Sequence, residues 1–326
     1  MSVNNNSRAR TIGQTRKKLS TGALRTAIPV VALIVLLSVT LYLQPRILSY
    51  FGWTLLLKFS LPLLFATLAQ LCILTIGDVD LGIGPFVSLV CCISATWLNT
   101  DPLLGVGALA LCVLLYAGMG ALIHYRQLPS IVMTLGVAFV WLGAALLVLP
   151  NPGGQAPGWL AAATSWRPPL IPLPILTAVV MAVAAHLFFM RTSYGVVLRG
   201  AGGNPAAIVR AGWSLGKTRT VLYGIAGLLG VLAGLSLTGI NTTGDPWVGN
   251  QYTLLSIAGA IIGGAEFVGG IISPVGAVIG AIIMLLTGSV LSFLNVSTDW
   301  QLCLQGCLLI LVLSLRAFAG KQGDSR

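Results

Sequence analysis

The chain has 326 residues, of which 56% are hydrophobic and only 8% are charged, with a mean hydropathy of +0.95. A water-soluble domain carries about 25% charged residues, so this composition excludes a soluble fold and points to a surface that faces lipid. The net charge of +11 raises nucleic acid as a partner, but its placement argues against one. Six of the 18 basic residues (Arg8, Arg10, Arg16, Lys17, Lys18, Arg25) precede the first apolar run and most others fall in loops, which is the orientation signal of membrane proteins.

The basic tail, residues 1–25, reads as the cytoplasmic flank of a first span rather than as a cleaved leader. Apolar runs then recur at 26–44, 54–76, 85–99, 104–123, 128–149, 173–190, 219–240, 253–264, 274–294 and 300–317. A helix of roughly 20 residues crosses a bilayer, so the run at 253–264 is too short to cross alone and is expected to break or tilt within the protein. The predicted fold class is an all-α integral membrane protein of about ten transmembrane helices, some broken, with both termini cytoplasmic. Its transmembrane domain covers 26–318, followed by a cytoplasmic tail over 319–326. This orientation puts Arg126, Arg191, Arg199, Arg210, Lys217, Arg219, Arg316, Lys321 and Arg326 inside with the N-terminal six, and leaves Arg46, Lys58 and Arg167 outside.

Four segments interrupt the apolar pattern. Residues 77–84, GDVDLGIG, bring Gly77, Asp78, Asp80, Leu81 and Gly84 between two runs. A charge at the bilayer centre costs about 2.5–3.5 kcal/mol on insertion scales, so Asp78 and Asp80 are expected to line a water-filled cavity or to sit at the cytoplasmic end. The segment reads as a gate or pathway element, with a surface turn as the alternative. Residues 150–172 form a Pro/Gly/Trp-rich outer loop in which Trp159 and Trp166 are either interfacial anchors or partner contacts.

The third segment is the long cytoplasmic loop 191–218. Within it, Asn204 suits an N-cap, Pro205 a first helical position, Ala207 and Arg210 the helix body, and Gly212 its end. A helix of about two turns is therefore predicted, either as a capped surface linker or as a docking element for a soluble partner, with Gly202 and Gly203 just before it. The fourth, 263–276, holds Gly263, Gly264, Glu266, Gly269, Gly270 and Pro274, and a second such break in the other half of a transporter points to the pathway.

Other chemistries find little support. Residues 211–218, AGWSLGKT, fit a permissive phosphate-loop pattern but lead into an apolar span instead of a nucleotide-binding sheet. His124 and His186 lie far in sequence from any carboxylate. The cysteines (Cys72, Cys91, Cys92, Cys112, Cys303, Cys307) sit in apolar runs without metal-ligand spacing and read as small hydrophobes. No catalytic residue, cofactor site or metal site is expected in this chain. A secondary transporter would place ionisable groups inside its spans, and this sequence supplies almost none.

Taken together, these segments resemble the permease subunits of bacterial ribose-type sugar importers of the ATP-binding-cassette class. The resemblance covers roughly residues 65–318. Residues Asp78 to Gly84 are similar to the family's G-I-D-L-S-V-G, and Arg191 to Gly195 followed by Gly202, Gly203, Asn204, Pro205 and Ala207, closing at Gly212, match its docking loop. Gly249, Tyr252, Ile257, Ala258, Gly263, Gly264, Gly269, Gly270, Trp300, Gln301 and Gly306 continue in order. The resemblance implies a homo- or heterodimer of permeases in the bacterial inner membrane. Two cytoplasmic ATPases would carry the ATP and magnesium, and a periplasmic binding protein would deliver a sugar-like solute. Polyols, nucleosides and amino acids are the alternative solutes. It also implies that the loop at 202–213 seats in the ATPase, with Arg210 in a charged contact, and that the gate lies near Gly77–Gly84. The chain departs from the family at Asp78, where glycine is usual, at Thr253 and Leu255, where acidic residues are frequent, and at Glu266, where a small or hydroxyl residue is usual.

Overall fold

The computed structural model describes residues 29–297 and scattered positions from 300 to 310. The basic tail at 1–25, the tail at 319–326 and most of the run at 300–317 lie outside the described residues. The described chain is helical, its one extended pairing being the isolated bridge Gly153–Gly244. In chain order the helices of six or more described residues are α1 (Pro29–Leu43), α2 (Tyr50–Leu57), α3 (Ser60–Thr75), α4 (Ile83–Ala95), α5 (Pro102–Arg126), α6 (Ser130–Val148), α7 (Gly158–Ser165), α8 (Leu173–His186), α9 (Ser193–Gly203), α10 (Pro205–Arg210), α11 (Leu215–Asn241), α12 (Asn250–Ile262) and α13 (Pro274–Phe293), with shorter helical turns at Pro45–Leu48, Trp97–Thr100 and Leu187–Arg191.

Six stretches among the described residues are long and apolar enough to cross a membrane, or seven if α2 and α3, bent by 45°, count as one. The 15-residue α1 falls short of that length, as does α12 with 13 residues. Only part of the last predicted run is described. The longest spans show why the chain turns where it does. Asp101 caps α5, its Oδ1 accepting from Leu103 N (3.1 Å) and Leu104 N (3.3 Å), and Pro102 takes the first helical position. Gln127 ends the helix in the left-handed region at φ 51°. Ser214 likewise caps the 27-residue α11, and Thr242 ends it at φ 61°. At 1.5 Å per residue such helices run about 40 Å, more than the hydrocarbon core.

The core forms around α3, whose residues are all buried except Phe65, as expected of a helix apolar on every side. Against it and α5 lies α11, whose small residues admit large neighbours. Gly227 faces Tyr116, Gly230 faces Phe86 and Gly234 faces Val90, each close enough that a Cβ would collide. Outer helices bury a stripe only, as with Thr134, Ala138, Trp141 and Ala145 of α6. Their other faces expose Leu103, Leu114, Phe139, Val140 and Val183, the pattern of helices solvated by lipid.

The loops gather at two ends. At one, Val79 bonds Ser130, Gly216 packs on His124, and Gly202 lies against Gly269. At the other, Gly153 pairs with Gly244, Gln155 N donates to the Ala95 carbonyl, and Tyr50 donates to the Pro168 carbonyl. After Gly244 the chain does not stay at that end. It returns along α4, so that α12 begins in the interior, with Gly249 N donating to Ser88 Oγ (2.8 Å). The short run at 253–264 is thus a helix that begins inside the bundle.

Candidate functional site

The turn after α3 is the first break. Gly77 adopts φ +79°, a conformation that side chains rarely tolerate. The next residues, as far as Gly84, are held by side chains from five helices. Asp78, 6% exposed, receives the Arg219 guanidinium on both oxygens, Nε to Oδ2 at 3.0 Å and Nη2 to Oδ1 at 3.0 Å. Tyr223 Oη also donates to Oδ2 at 3.2 Å. A two-pronged pair of this kind is strong and directional, and it offsets part of the cost of burying the Asp78 carboxylate beside a half-buried Arg219.

Asp80, 1% exposed, lies deeper. Its carboxylate accepts from Gly82 N (2.7 Å) and from the Tyr116 hydroxyl. With its amide oriented to satisfy both partners, Gln70 donates to the Asp80 carbonyl and accepts from Asp80 N, each at 3.1 Å. Tyr116 in turn packs edge-on to Phe86 at 4.6 Å and parallel to Trp141 at 6.3 Å. Leu81 N donates to Thr134 Oγ1 (3.1 Å), and Gly84 N to Thr253 Oγ1 (3.0 Å). Both aspartates are therefore turned into the protein rather than toward an open cavity, because each finds its charge or hydrogen-bond partners there. Thr253 ties the start of α4 to the start of α12, next to the buried Tyr252.

The second break, from Gly263 to Ser273, makes several close main-chain contacts. Gly264, Gly269 and Gly270 adopt φ +110°, +82° and +75°. Glu266 N bonds the Ile271 carbonyl (3.1 Å) and Gly270 N bonds the Thr75 carbonyl (2.9 Å). Gly263 lies against the Gly276 main chain, and Gly259 against Gly280, so that α12 and α13 touch backbone to backbone.

The long loop contains more helix than its sequence suggests. Thr192 Oγ1 accepts from Gly195 N (2.9 Å) and caps α9, whose Val197, Leu198 and Ala201 are buried. The spacing of Tyr194, Val197, Leu198 and Ala201 is a helical stripe, legible in the sequence but masked by four glycines. Asn204 separates α9 from α10, and its Oδ1 accepts from Ala207 N (3.1 Å). Pro205 occupies the first position of α10, no residue of that helix is buried, and Arg210 stands exposed in its last turn. Gly212, at φ +83°, ends it.

The three segments meet. Gly269 lies against Gly77, Gly202 against Gly269 and Gly270, and Gly203 beside Gly270. Arg219, Tyr223, Tyr116 and Gln70 were missed by sequence reasoning. Arg219 carried a signal, since a cation at the edge of an apolar run needs an anion, and Asp78 is close to a break.

Residues 53–313 match the family described as branched-chain amino acid transport system / permease component. The chain belongs to that family. This permease is 27% identical over 293 residues to the ribose import permease protein of Escherichia coli K12, covering 87% of this chain and 91% of that one. It is 35% identical over 143 residues to the xylose transport system permease protein of Haemophilus influenzae, covering 44% of this chain and only 38% of that relative. A probable ABC transporter permease protein of Sinorhizobium fredii is 26% identical over 304 residues, 91% of each chain. No solved structure matches.

Proposed function

We propose that this permease is the membrane-spanning subunit of an ATP-driven importer for a sugar or sugar-like solute, delivered by a periplasmic binding protein across the bacterial inner membrane. The observation that carries the reading is α10, a capped two-turn helix with no buried residue, projecting beside the junction of both breaks. A lone surface helix has no reason to be seated there, whereas a docking helix for a cytoplasmic ATPase does. The ATPase would supply the nucleotide site, with ATP and magnesium, and a second permease would complete the pathway.

The charge distribution supports the direction. Arg126, Arg191, Arg199, Arg210, Lys217 and Arg219 gather at the end that carries α10, while Arg46, Lys58 and Arg167 lie toward the other. Basic residues favour the cytoplasmic side, so α10 would face the cytoplasm. With α1 and the run at 300–317 counted as crossings and α12 as a partial one, ten spans put both termini inside. The ribose and xylose names of the relatives favour a sugar, with polyols, nucleosides and amino acids as the competing solutes.

The test is purification of the tagged permease from native membranes in mild detergent, with mass spectrometry of the proteins that accompany it. An ATPase is expected with the native protein and is expected to be lost from Asn204→Ala/Arg210→Glu. Its absence from native preparations in several detergents would overturn the reading, as would ATP-independent transport by this chain alone in proteoliposomes.

A further inference from the structure

We infer that Gly202 is the coupling contact of this permease, passing displacement of α10 to both breaks through main-chain contact with no side chain between. The inference rests on the proposed function, since it takes α10 as the element that an ATPase moves.

Gly203 and the Arg199 carbonyl also approach Gly270, but among the glycines of α9 only Gly202 would drive a Cβ into that main chain. α9 passes into α10 through Asn204 alone, so the last turn of α9 follows any movement of α10. On that turn a Cβ at Gly202 would stand 2.6 Å from Gly270 N and 3.1 Å from the Gly269 carbonyl carbon, and closer still to the Thr75 carbonyl oxygen. A Cβ at Gly269 would stand 2.7 Å from Gly77 N and 3.1 Å from Gly202 Cα. Gly270 N is itself bonded to the Thr75 carbonyl at 2.9 Å. The end of α3, the turn at Gly77, the turn at Gly269–Gly270 and the end of α9 therefore form one knot of touching main chains.

Two features separate Gly202 from its neighbours. Gly77, Gly269 and Gly270 need glycine for their left-handed backbone, but Gly202 is not among the positive-φ residues. Glycine at 202 is required by space alone. The adjacent Gly203 faces nothing nearer than Gly270 Cα, which its Cβ would meet at 3.8 Å, an ordinary contact. Contact between main chains also suits transmission. A long side chain absorbs a small displacement by changing rotamer, whereas packed backbones must move together or separate.

The experiment uses the permease purified with its ATPase from native membranes, with hydrogen exchange followed with and without ATP. In the native complex, ATP is expected to alter exchange at 193–203, at 76–82 and at 264–272 together. Gly136→Ala, a methyl added where α6 faces open space, is expected to behave as native. Gly202→Ala, followed in the fraction that retains the ATPase, is expected to lose the ATP-dependent change at 76–82 and 264–272. An ATP response of native size at those two turns in Gly202→Ala overturns the inference, as does equal loss in Gly136→Ala. Should Gly202→Ala fail to accumulate, the native complex decides alone, because a response at 193–203 that leaves both turns unchanged refutes transmission through this contact. If no ATPase accompanies the native protein, the proposed function fails first and the inference falls with it.

Discussion

Between Ile76 and Gly82 the chain is anchored chiefly by side chains, through Arg219 and Tyr223 on Asp78 and Tyr116 and Gln70 around Asp80. Between Gly263 and Ser273 main chains come into close contact, through Gly270 on the Thr75 carbonyl and the close approach of Gly263 and Gly276. Both turns lie at the same end of the bundle and touch at Gly77 and Gly269, yet opposite kinds of substitution should disturb them. A turn held by charge tolerates changes in volume better than loss of a partner. A turn packed backbone against backbone has no room to gain.

The largest expected effect is at the charge-held turn. Arg219→Ala would strand the Asp78 carboxylate inside the protein, at a cost of about 3–5 kcal/mol, seen as a lowered unfolding midpoint in detergent. Adding Asp78→Ala should restore much of that loss, because no buried charge is then left unpaired. A double-mutant cycle showing no coupling between the two would remove the pair from the account of this turn.

Next comes the backbone-packed partner. Gly280→Ala pushes a methyl into the Gly259 main chain and should destabilise by about 1–3 kcal/mol through overpacking. The asymmetry would be broken if Gly280→Ala were neutral while a volume change beside Asp78 were severe. Smaller still is the loss of the α10 cap. Asn204→Ala should cost about 1 kcal/mol, concentrated in faster amide exchange at 205–210 with the global midpoint little changed. The smallest effect is a control: Gly136 faces open space, so Gly136→Ala should be neutral or stabilise by up to about 1 kcal/mol. A large loss there would show that added methyl groups disturb this protein whatever surrounds them.

The sites of these effects were only partly legible in advance. The glycine-rich segments stood out because they interrupt apolar runs, and the cap at Asn204 followed from residue chemistry alone. What sequence could not supply was the pairing. Asp78 and Arg219 are separated by 140 intervening residues, and nothing local says that the turn after α3 meets the first turns of α11. The Ser193–Gly203 helix was hidden for a different reason. Its glycines lower local helix propensity, and the buried face that repays this loss exists only once α9 lies against its neighbours.

Composition and the spacing of apolar runs settled that this is a helical membrane protein, because crossing lipid demands runs of fixed length whose backbone bonds close internally. The same physics marked α12 as too short to cross alone. Only the tertiary structure decided that α12 starts inside the bundle beside Ser88, that both aspartates turn inward to their partners, and that three glycine segments far apart in the chain converge on one knot. Those outcomes depend on contacts between helices. Lipid provides little hydrophobic drive to choose among packings, so shape complementarity and polar pairing between distant residues make the choice.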